Sequence, residues 1–233
     1  MGPIKYTNVE GIELARHRDR ISLFVESGRG RFEPETLALW RELQDPNRAA
    51  IDVGGYTGLF AIVAVKAGAG EVFTIEPNPK CIHRMRHNLR HNGVEEEVEV
   101  IEAAASIQAG EGKLEIGNER LALCSTSKLR SGKGTPVTTL DDIVQGLSTC
   151  RVAAVKIDVE GHEVGVLTGA SELLEEDHPT LIIEVKSGSG GDREAEVTAI
   201  LEVYGYRAQE GKLLDGRNRV YVWDESELTE ATK

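Results

Sequence analysis

The stretch Asp52-Val-Gly-Gly-Tyr-Thr-Gly58 decides the fold, because it joins a short apolar run to a helix-like apolar segment. Residues 49–53 precede it, and residues 59–66 follow it and end before two glycines, Gly68 and Gly70. Glycines near a helix end are typical C-terminal caps. A strand, a glycine turn and a helix in this order form the ligand-binding edge of doubly wound α/β folds. Glycine also lets the backbone approach a ligand closely.

Strands and helices alternate outward from this turn along most of the chain. Further strands are predicted at residues 71–75, 98–103, 137–140, 152–157 and 181–185. Helices are predicted at residues 35–43, 79–92, 164–174 and 194–204, with Asp141 placed to cap another. Residues 106–134 are predicted to be a loop with one short strand at 113–116, and residues 187–191 a flexible loop. A hairpin around Asp215-Gly216 is predicted from residues 206–214 and 219–223. Such alternation predicts a parallel sheet covered on both faces.

The composition fits one doubly wound domain at residues 49–224, after a polar, partly helical lead-in at 1–48 and before a tail at 225–233. The net charge of −12 argues against a partner such as bulk duplex DNA or an anionic membrane. The longest apolar run, residues 59–65, is too short to span a bilayer. An odd number of cysteines without CxxC spacing, and an N-terminus without a signal segment, predict a cytoplasmic protein. The oligomeric state is not readable.

Two carboxylates flank the glycine turn and indicate which nucleotide binds there. Glu76 ends the second strand, before Pro77, where an acid can accept from both hydroxyls of a ribose. Tyr56 occupies the place of the second glycine of a dinucleotide fingerprint, which argues against a nicotinamide-dependent oxidoreductase. Asp52 suits a cationic ligand such as S-adenosylmethionine better than a diphosphate. The alternative is a tight strand-to-helix turn with a capping acid.

A second cluster, Lys156-Ile-Asp158-Val-Glu160-Gly-His162-Glu163, ends the strand at residues 152–157. Burying so much charge costs several kcal/mol unless the groups are paired or used in function. Glu184, near the end of the following strand, is expected to lie alongside. The alternative is an acid-capped helix start with a Lys156 salt bridge, but the position at the ligand-binding edge favours function.

The order and spacing of several segments resemble the FkbM-type methyltransferases over roughly residues 30–186. These segments are DVGGYTGLF (52–60), EPNP (76–79), TLDDI (139–143), KIDVEGHEVGVLTGA (156–170) and IIEV (182–185). The resemblance implies a Rossmann-like class I fold with a seven-stranded, mostly parallel sheet whose last strand is antiparallel. It also implies S-adenosylmethionine-dependent methylation of a hydroxyl on a sugar or small molecule. Asp52, Gly54 and Gly58 match the cofactor loop of that family and Glu76 its ribose acid, whereas Gly55-Tyr56 stands where the family usually has Ala-Asn.

Transfer to an aliphatic hydroxyl gains from a general base that removes its proton. Glu160 and His162 are the candidates, with Asp158 and Lys156 as orienting groups. Alternatively, Asp158, Glu160 and Glu184 could hold a divalent cation that acidifies the hydroxyl. The spacing leaves both routes open, and we favour the metal-free one.

The base of the cofactor is expected against Glu102 or Ala103, just past the third strand. Asp158 is counted with the cofactor-binding residues as well as the catalytic ones. A non-catalytic module that keeps the fold is a third functional alternative, against which the intact KIDVEGHE cluster argues.

Overall fold

A computed structural model describes residues 4–16, 19–28, 30–116, 128–147, 151–185 and 193–225. The predicted loop at 187–191 and residues 226–233 of the predicted tail lie outside the described residues. Helices within the described ranges are α1 (Arg20–Glu26), α2 (Pro34–Glu42), α3 (Leu59–Ala67), α4 (Pro79–His91), α5 (Leu140–Gln145), α6 (Glu163–Thr168), α7 (Ser171–Glu176) and α8 (Arg193–Val203). Of these described helices, none is both long and apolar enough to cross a membrane.

The strands form one large sheet and two small ones. They are β1 (Tyr6–Val9), β2 (Ile12–Ala15), β3 (Ala49–Val53), β4 (Glu71–Ile75), β5 (Val98–Ile101), β6 (Ala104–Ala105), β7 (Gly110–Glu115), β8 (Lys128–Thr138), β9 (Val152–Ile157), β10 (Thr180–Glu184), β11 (Tyr206–Ala208) and β12 (Asn218–Trp223). The seven-stranded sheet has the order β11-β12-β10-β9-β3-β4-β5. Its strands from β10 to β5 run parallel, and β12 is antiparallel to both of its neighbours. The predicted doubly wound fold with an antiparallel last strand is therefore confirmed.

Helices cover both faces of this sheet, so its central strands have no solvent-facing side. All five residues of β3 are buried. Ile51 packs in one apolar cluster with residues of α6, α7 and α8, whereas Ala50 packs in the other with residues of α2, α3 and α4. This two-sided burial explains why the sequence of β3 is apolar without alternation.

The lead-in contains an antiparallel hairpin that the sequence did not predict. β1 pairs with β2 from Tyr6↔Ala15 to Val9↔Ile12, around a turn in which Glu10 and Gly11 have φ of 51° and 93°. The hairpin docks on α4, where the Ala15 amide donates to the Asn88 side chain over 2.9 Å. Two four-residue strands are too short for their alternation to stand out from a helical pattern.

Of the segment predicted as a loop between residues 106 and 134, the described residues 110–115 and 128–134 belong instead to a three-stranded sheet of order β6-β8-β7. The short strand expected at 113–116 runs over 110–115. Of the strand expected at 137–140, residues 137–138 end β8, whereas Leu140 begins α5. The strand expected at 98–103 ends at Ile101. The ribbon of β7 and β8 is exposed at most positions. It has therefore little of the apolar alternation by which strands are predicted.

Two helix boundaries also differ from the prediction. Thr139, and not Asp141, caps α5, with Asp142 completing a capping box. Asp141 instead accepts from the Leu173 amide and the Ser171 hydroxyl, so it caps α7. The single helix expected at 164–174 is broken into α6 and α7, because the chain turns at residues 169–170, where the Gly169 backbone packs against the Ser106 carbonyl.

Candidate active site

A cleft of about 820 Å³, including the part open to solvent, lies at the carboxyl ends of β3, β4 and β9. The residues that line the cleft come from the lead-in, the sheet edge and the β7–β8 ribbon: Arg20, Ile21, Phe32, Glu33, Val53, Gly54, Tyr56, Ile75, Glu76, Pro77, Ala104, Ala105, Leu114, Leu129, Asp158, Val159, Glu160 and His162. Half of the fourteen site residues expected from the sequence therefore border one cleft: Gly54, Tyr56, Glu76, Pro77, Asp158, Glu160 and His162.

The glycine turn after β3 packs tightly against the end of β9. Gly54 has φ of 91°, and a Cβ atom there would lie 2.0 Å from the Asp158 carbonyl oxygen. Gly58 also has a positive φ, of 81°, and its place against Met85 leaves little room for a side chain. These glycines are therefore required by the packing of the turn, which places Asp158 beside it.

Asp52 is a buried carboxyl on β3 that does not itself border the cleft. It is 2% exposed, and its Oδ2 atom has no hydrogen-bond partner among the described residues. Burial raises the pKa of Asp52 to about 6, although the nearby Lys156 ammonium acts in the opposite direction. An incompletely satisfied buried carboxyl is costly, so its retention in this position is compatible with a functional role.

Glu76 ends β4 and turns back onto the glycine turn. Its Oε2 atom accepts from the Tyr56 amide over 3.0 Å, and its Oε1 atom accepts from the Asn78 amide over 2.8 Å. Burial raises the pKa of Glu76 to about 7, and the two amide bonds oppose that change. A carboxylate has about four acceptor positions, so this orientation leaves acceptor capacity for a ligand in the cleft.

The charged cluster after β9 is paired in the structure. The Lys156 ammonium lies 3.6 Å from Asp158 Oδ2 and 4.4 Å from the centre of the Phe60 ring. Burial lowers the pKa of Lys156, but four surrounding carboxylates raise it above its ordinary value: Asp158, Glu33, Asp52 and Glu184. Glu160 borders the cleft in a left-handed conformation with φ of 53°, and its Oε1 atom lies 3.8 Å from the Arg20 guanidinium.

Glu184 lies beside Asp158 and Glu160 of this cluster, as the sequence predicted. Ligand atoms of Asp158, Glu160 and Glu184 all lie within 4.8 Å of one another, as a metal site would require. Arg217 stands 3.2 Å from Glu184 and 3.1 Å from Glu33. Since each acid of the possible metal site already faces a cation, the protein itself offsets much of their mutual repulsion.

His162 stands before the first residue of α6 and borders the cleft. Its Nε2 atom lies 2.8 Å from the Ser106 hydroxyl. Burial lowers the pKa of His162, and the Glu163 carboxylate partly opposes this effect. The imidazole is therefore mainly neutral at physiological pH, which is the form that can take up a proton.

Sequence reasoning missed several residues of the cleft, and the two residues that it expected beside the adenine do not border the cleft. Arg20 and Glu33 border the cleft and come from the lead-in, whereas Ser106 follows β6 and contacts the cleft residue His162. A charged residue in a polar segment and a serine after an alanine run carry no local signal of a site. Ala104 and Ala105 border the cleft, but Glu102 and Ala103 do not, and Glu102 forms an ion pair with Arg86 over 2.9 Å. The contact of Glu102 or Ala103 with an adenine remains a prediction.

Comparison with known proteins gives independent evidence on the family of this chain. Residues 52–208, more than half of the chain, match the Methyltransferase FkbM domain. The hexuronic acid methyltransferase AglP of Haloferax volcanii is 28% identical over 162 residues, which are 68% of this chain and 64% of that protein. The chain thus spans just under two-thirds of that relative.

Two solved structures are similar in fold. Methyltransferase FkbM from Methylobacillus flagellatus KT has a TM-score of 0.52 at 19% identity, over 76% of this chain and 44% of that one. An rRNA methylase from Streptococcus thermophilus has a TM-score of 0.51 at 13% identity, over 81% and 93% of the two chains. The matched domain contains the glycine turn, Glu76 and the cluster after β9, so this chain belongs to the FkbM methyltransferase family.

Proposed function

We propose that the protein is an S-adenosylmethionine-dependent O-methyltransferase that acts on a hydroxyl group of a sugar or another small molecule. The observation that carries the proposal is Glu76, a buried carboxylate directed by two backbone amides at the rim of the cleft. The similarity to a hexuronic acid methyltransferase supports a sugar acceptor.

The residues present fit this cofactor. Glu76 would accept from the ribose hydroxyls, and Gly54, Tyr56 and Pro77 border the same part of the cleft. Asp52, whose Oδ2 atom lacks a partner, would supply negative charge near the ammonium and sulfonium groups. When bound, S-adenosylmethionine supplies an electrophilic methyl group.

The cluster after β9 provides the proton chemistry. His162 would accept the proton of the acceptor hydroxyl as that oxygen gains its new bond to carbon. Glu160 would orient the hydroxyl by accepting a hydrogen bond, and Arg20 would keep Glu160 in place. Lys156 holds Asp158 at the junction of the two ligand regions. A general base of this kind typically contributes 10²–10⁴-fold to a rate.

The first test concerns the cofactor and is made by calorimetry. A hydrogen bond to a charged group is worth about 1.5–3 kcal/mol, so Glu76→Ala should weaken S-adenosylmethionine binding by roughly one to two decades. Glu99→Ala, which removes an exposed acid from the neighbouring strand β5, is the matched control and should leave the affinity unchanged. Tight binding of NADH without any binding of S-adenosylmethionine would contradict the assignment.

The second test concerns the chemistry and uses methyl transfer to a panel of hexuronic acid and neutral hexose glycosides. With an accepted sugar, His162→Ala or Glu160→Gln should lower turnover by at least about a hundredfold, with cofactor affinity intact. Activity should persist in EDTA. Activity lost to EDTA and restored by Mg²⁺ would instead assign Asp158, Glu160 and Glu184 to a metal. Near-full activity of both variants would make the cluster structural.

A further inference from the structure

We propose that Ser106 is a positioning residue that fixes the tautomer of His162, so that Nδ1 is the basic nitrogen available to the cleft. This inference rests on the proposed function in one respect, the role of His162 as general base. It assigns a task to a residue that neither the sequence patterns nor the comparisons single out. It also makes the two ring nitrogens chemically distinct.

The contact between the two side chains is short and sits in a rigid setting. Ser106 Oγ lies 2.8 Å from His162 Nε2, and Ser106 is 7% exposed. The Ser106 amide donates to the Thr138 carbonyl over 2.9 Å, which ties the residue to the end of β8. A Cβ atom at Gly169 would lie 2.2 Å from the Ser106 carbonyl oxygen, so the backbone also packs closely against the α6–α7 junction.

A second glycine, Gly165 on α6, leaves the space that the imidazole ring of His162 occupies. A Cβ atom at Gly165 would lie 2.5 Å from His162 Nε2 and 2.8 Å from its Cε1 atom. The absence of a side chain on α6 thus gives the ring room to bring Nε2 against Ser106. The described part of the chain offers Nδ1 no hydrogen-bond partner.

A serine hydroxyl can accept from Nε2–H or donate to an unprotonated Nε2, so the contact alone allows both tautomers. The role of His162 as general base requires the first, because Ser106 occupies Nε2 and only Nδ1 then remains to take up a proton. If Nε2–H donates to Ser106 Oγ, Nδ1 keeps its lone pair and can accept the proton of an acceptor hydroxyl. The resulting imidazolium still donates from Nε2 to Ser106, so the contact is retained while the ring is charged. Nearby charges are the Glu163 carboxylate, which is itself held by the Gly161 amide and Arg193, and Glu160, which also borders the cleft.

Nitrogen-15 NMR of the ring nitrogens tests the tautomer in the protein without cofactor. At a pH where the ring is neutral, His162 should show a protonated Nε2 and an unprotonated Nδ1, with the assignment made by comparison with His162→Asn. Ser106→Ala should shift both signals toward a mixture of tautomers, whereas Ser106→Thr should keep the pattern. A protonated Nδ1 in the unmodified protein would overturn the proposal. Because no turnover is needed, this outcome is independent of whether methyl transfer occurs.

Kinetics with an accepted sugar then separate positioning from binding. Ser106→Ala should lower kcat about tenfold or more while the Kd of S-adenosylmethionine stays unchanged. Partners that orient metal-bound histidines contribute about 10–100-fold, and a ring oriented for proton transfer should depend on its partner to a similar extent. Ser106→Thr should restore most of kcat because it keeps the hydroxyl. The matched control is Ser171→Ala on α7, which removes a serine hydroxyl that donates a hydrogen bond to Asp141. It should leave kcat unchanged. Equal kcat for Ser106→Ala and the unmodified protein, with equal thermal stability, would refute the proposal.

Discussion

Three residues without the freedom of glycine adopt left-handed backbone conformations around the cleft. Glu33, Tyr56 and Glu160 have φ of 43°, 47° and 53°. Such conformations cost on the order of 1–3 kcal/mol each and persist where the surrounding structure fixes them. Each of the three has a fixing contact: Arg217 for Glu33, the Arg20 amide for the Tyr56 hydroxyl, and the Arg20 guanidinium for Glu160. These left-handed conformations therefore lower the stability of the protein, and in return they fix the directions of the three side chains.

The buried carboxylate of Asp52 is also expected to lower the stability of the protein, and this effect can be measured. Its pKa rises from 3.8 in the unfolded chain to about 6 in the folded one. Below pH 4 both states bind the proton, so the shift has no effect. Between pH 4 and 6, Asp52 is ionised in the unfolded state but still protonated in the folded one, so the free energy of unfolding falls as the pH rises. Above pH 6, Asp52 is ionised in both states and the loss of stability is complete. Asp52→Asn should therefore raise the melting temperature at pH 8 by at least about 3 °C, and by only about a degree at pH 4.5.

The control for this comparison is Glu99→Gln, which removes an exposed acid from β5. It should change the melting temperature equally little at both pH values, as surface substitutions generally do. A destabilised Asp52→Asn protein at pH 8 would show that the Asp52 charge is satisfied, contrary to the raised pKa.

Among the helices and strands, the sequence predicted the ones whose apolar residues are buried by neighbouring elements. β3, β4, β9 and β10 are apolar because helices cover both sides, and α4 has one apolar stripe with Asn78 as its cap. The hairpin of β1 and β2 was not predicted, and of the ribbon of β7 and β8 only the short strands at 113–116 and 137–140 were. Their strands are stabilised by pairing and by contacts with distant elements, such as Ala15 with Asn88, which leave no periodic mark in the local sequence.

The start of α2 shows the same dependence on a distant part of the chain. Glu33 precedes the helix without a capping bond, but Asp215 accepts from the Glu35 amide, the Thr36 amide and the Thr36 hydroxyl. Helix caps are worth about 0.5–2 kcal/mol. Asp215→Ala should therefore lower the free energy of unfolding in urea by about 1–2 kcal/mol. Asp215→Asn should lose less, because asparagine retains one acceptor oxygen and tolerates the φ of 51° at this position.

Across the whole molecule, the cleft is completed by parts of the chain that are far apart in sequence. Glu33 of the lead-in and Glu184 of β10 meet at Arg217, just before β12. The residues contributed by KIDVEGHE and the glycine turn were predicted, because each motif lies within one strand-to-helix connection. Arg20 and Glu33 were not, because only the folded sheet brings the lead-in to its carboxyl edge.

Arg217 should accordingly contribute more to stability than an ordinary surface cation. Arg217→Gln removes the cation that contacts two buried carboxylates, Glu33 and Glu184, which are 7% and 2% exposed. Removing one partner of a buried pair costs about 3–5 kcal/mol, and the exposure of Arg217 places this case near the lower value. The measurement is urea unfolding, with Arg207→Gln as the control. Arg207 pairs with Asp224 at the surface and should change the free energy by less than about 1 kcal/mol.

A double-variant cycle attributes the loss to the buried acids. Glu184→Gln combined with Arg217→Gln should be more stable than Arg217→Gln alone, since the second change removes one uncompensated charge. Strictly additive losses would mean that Arg217 acts through packing and not through charge.

Gly55 has a consequence for how this protein can diverge from its relatives. A Cβ atom there would lie 2.0 Å from Thr74 Oγ1 and 2.5 Å from Met85 Cε, so alanine cannot enter unless those neighbours give way. Met85 is flexible, but Thr74 is a fully buried, β-branched residue in β4. Evolution at position 55 is therefore tied to positions 74 and 85. A relative that carries alanine in the glycine turn is expected to have acquired a smaller residue at one of these two sites first.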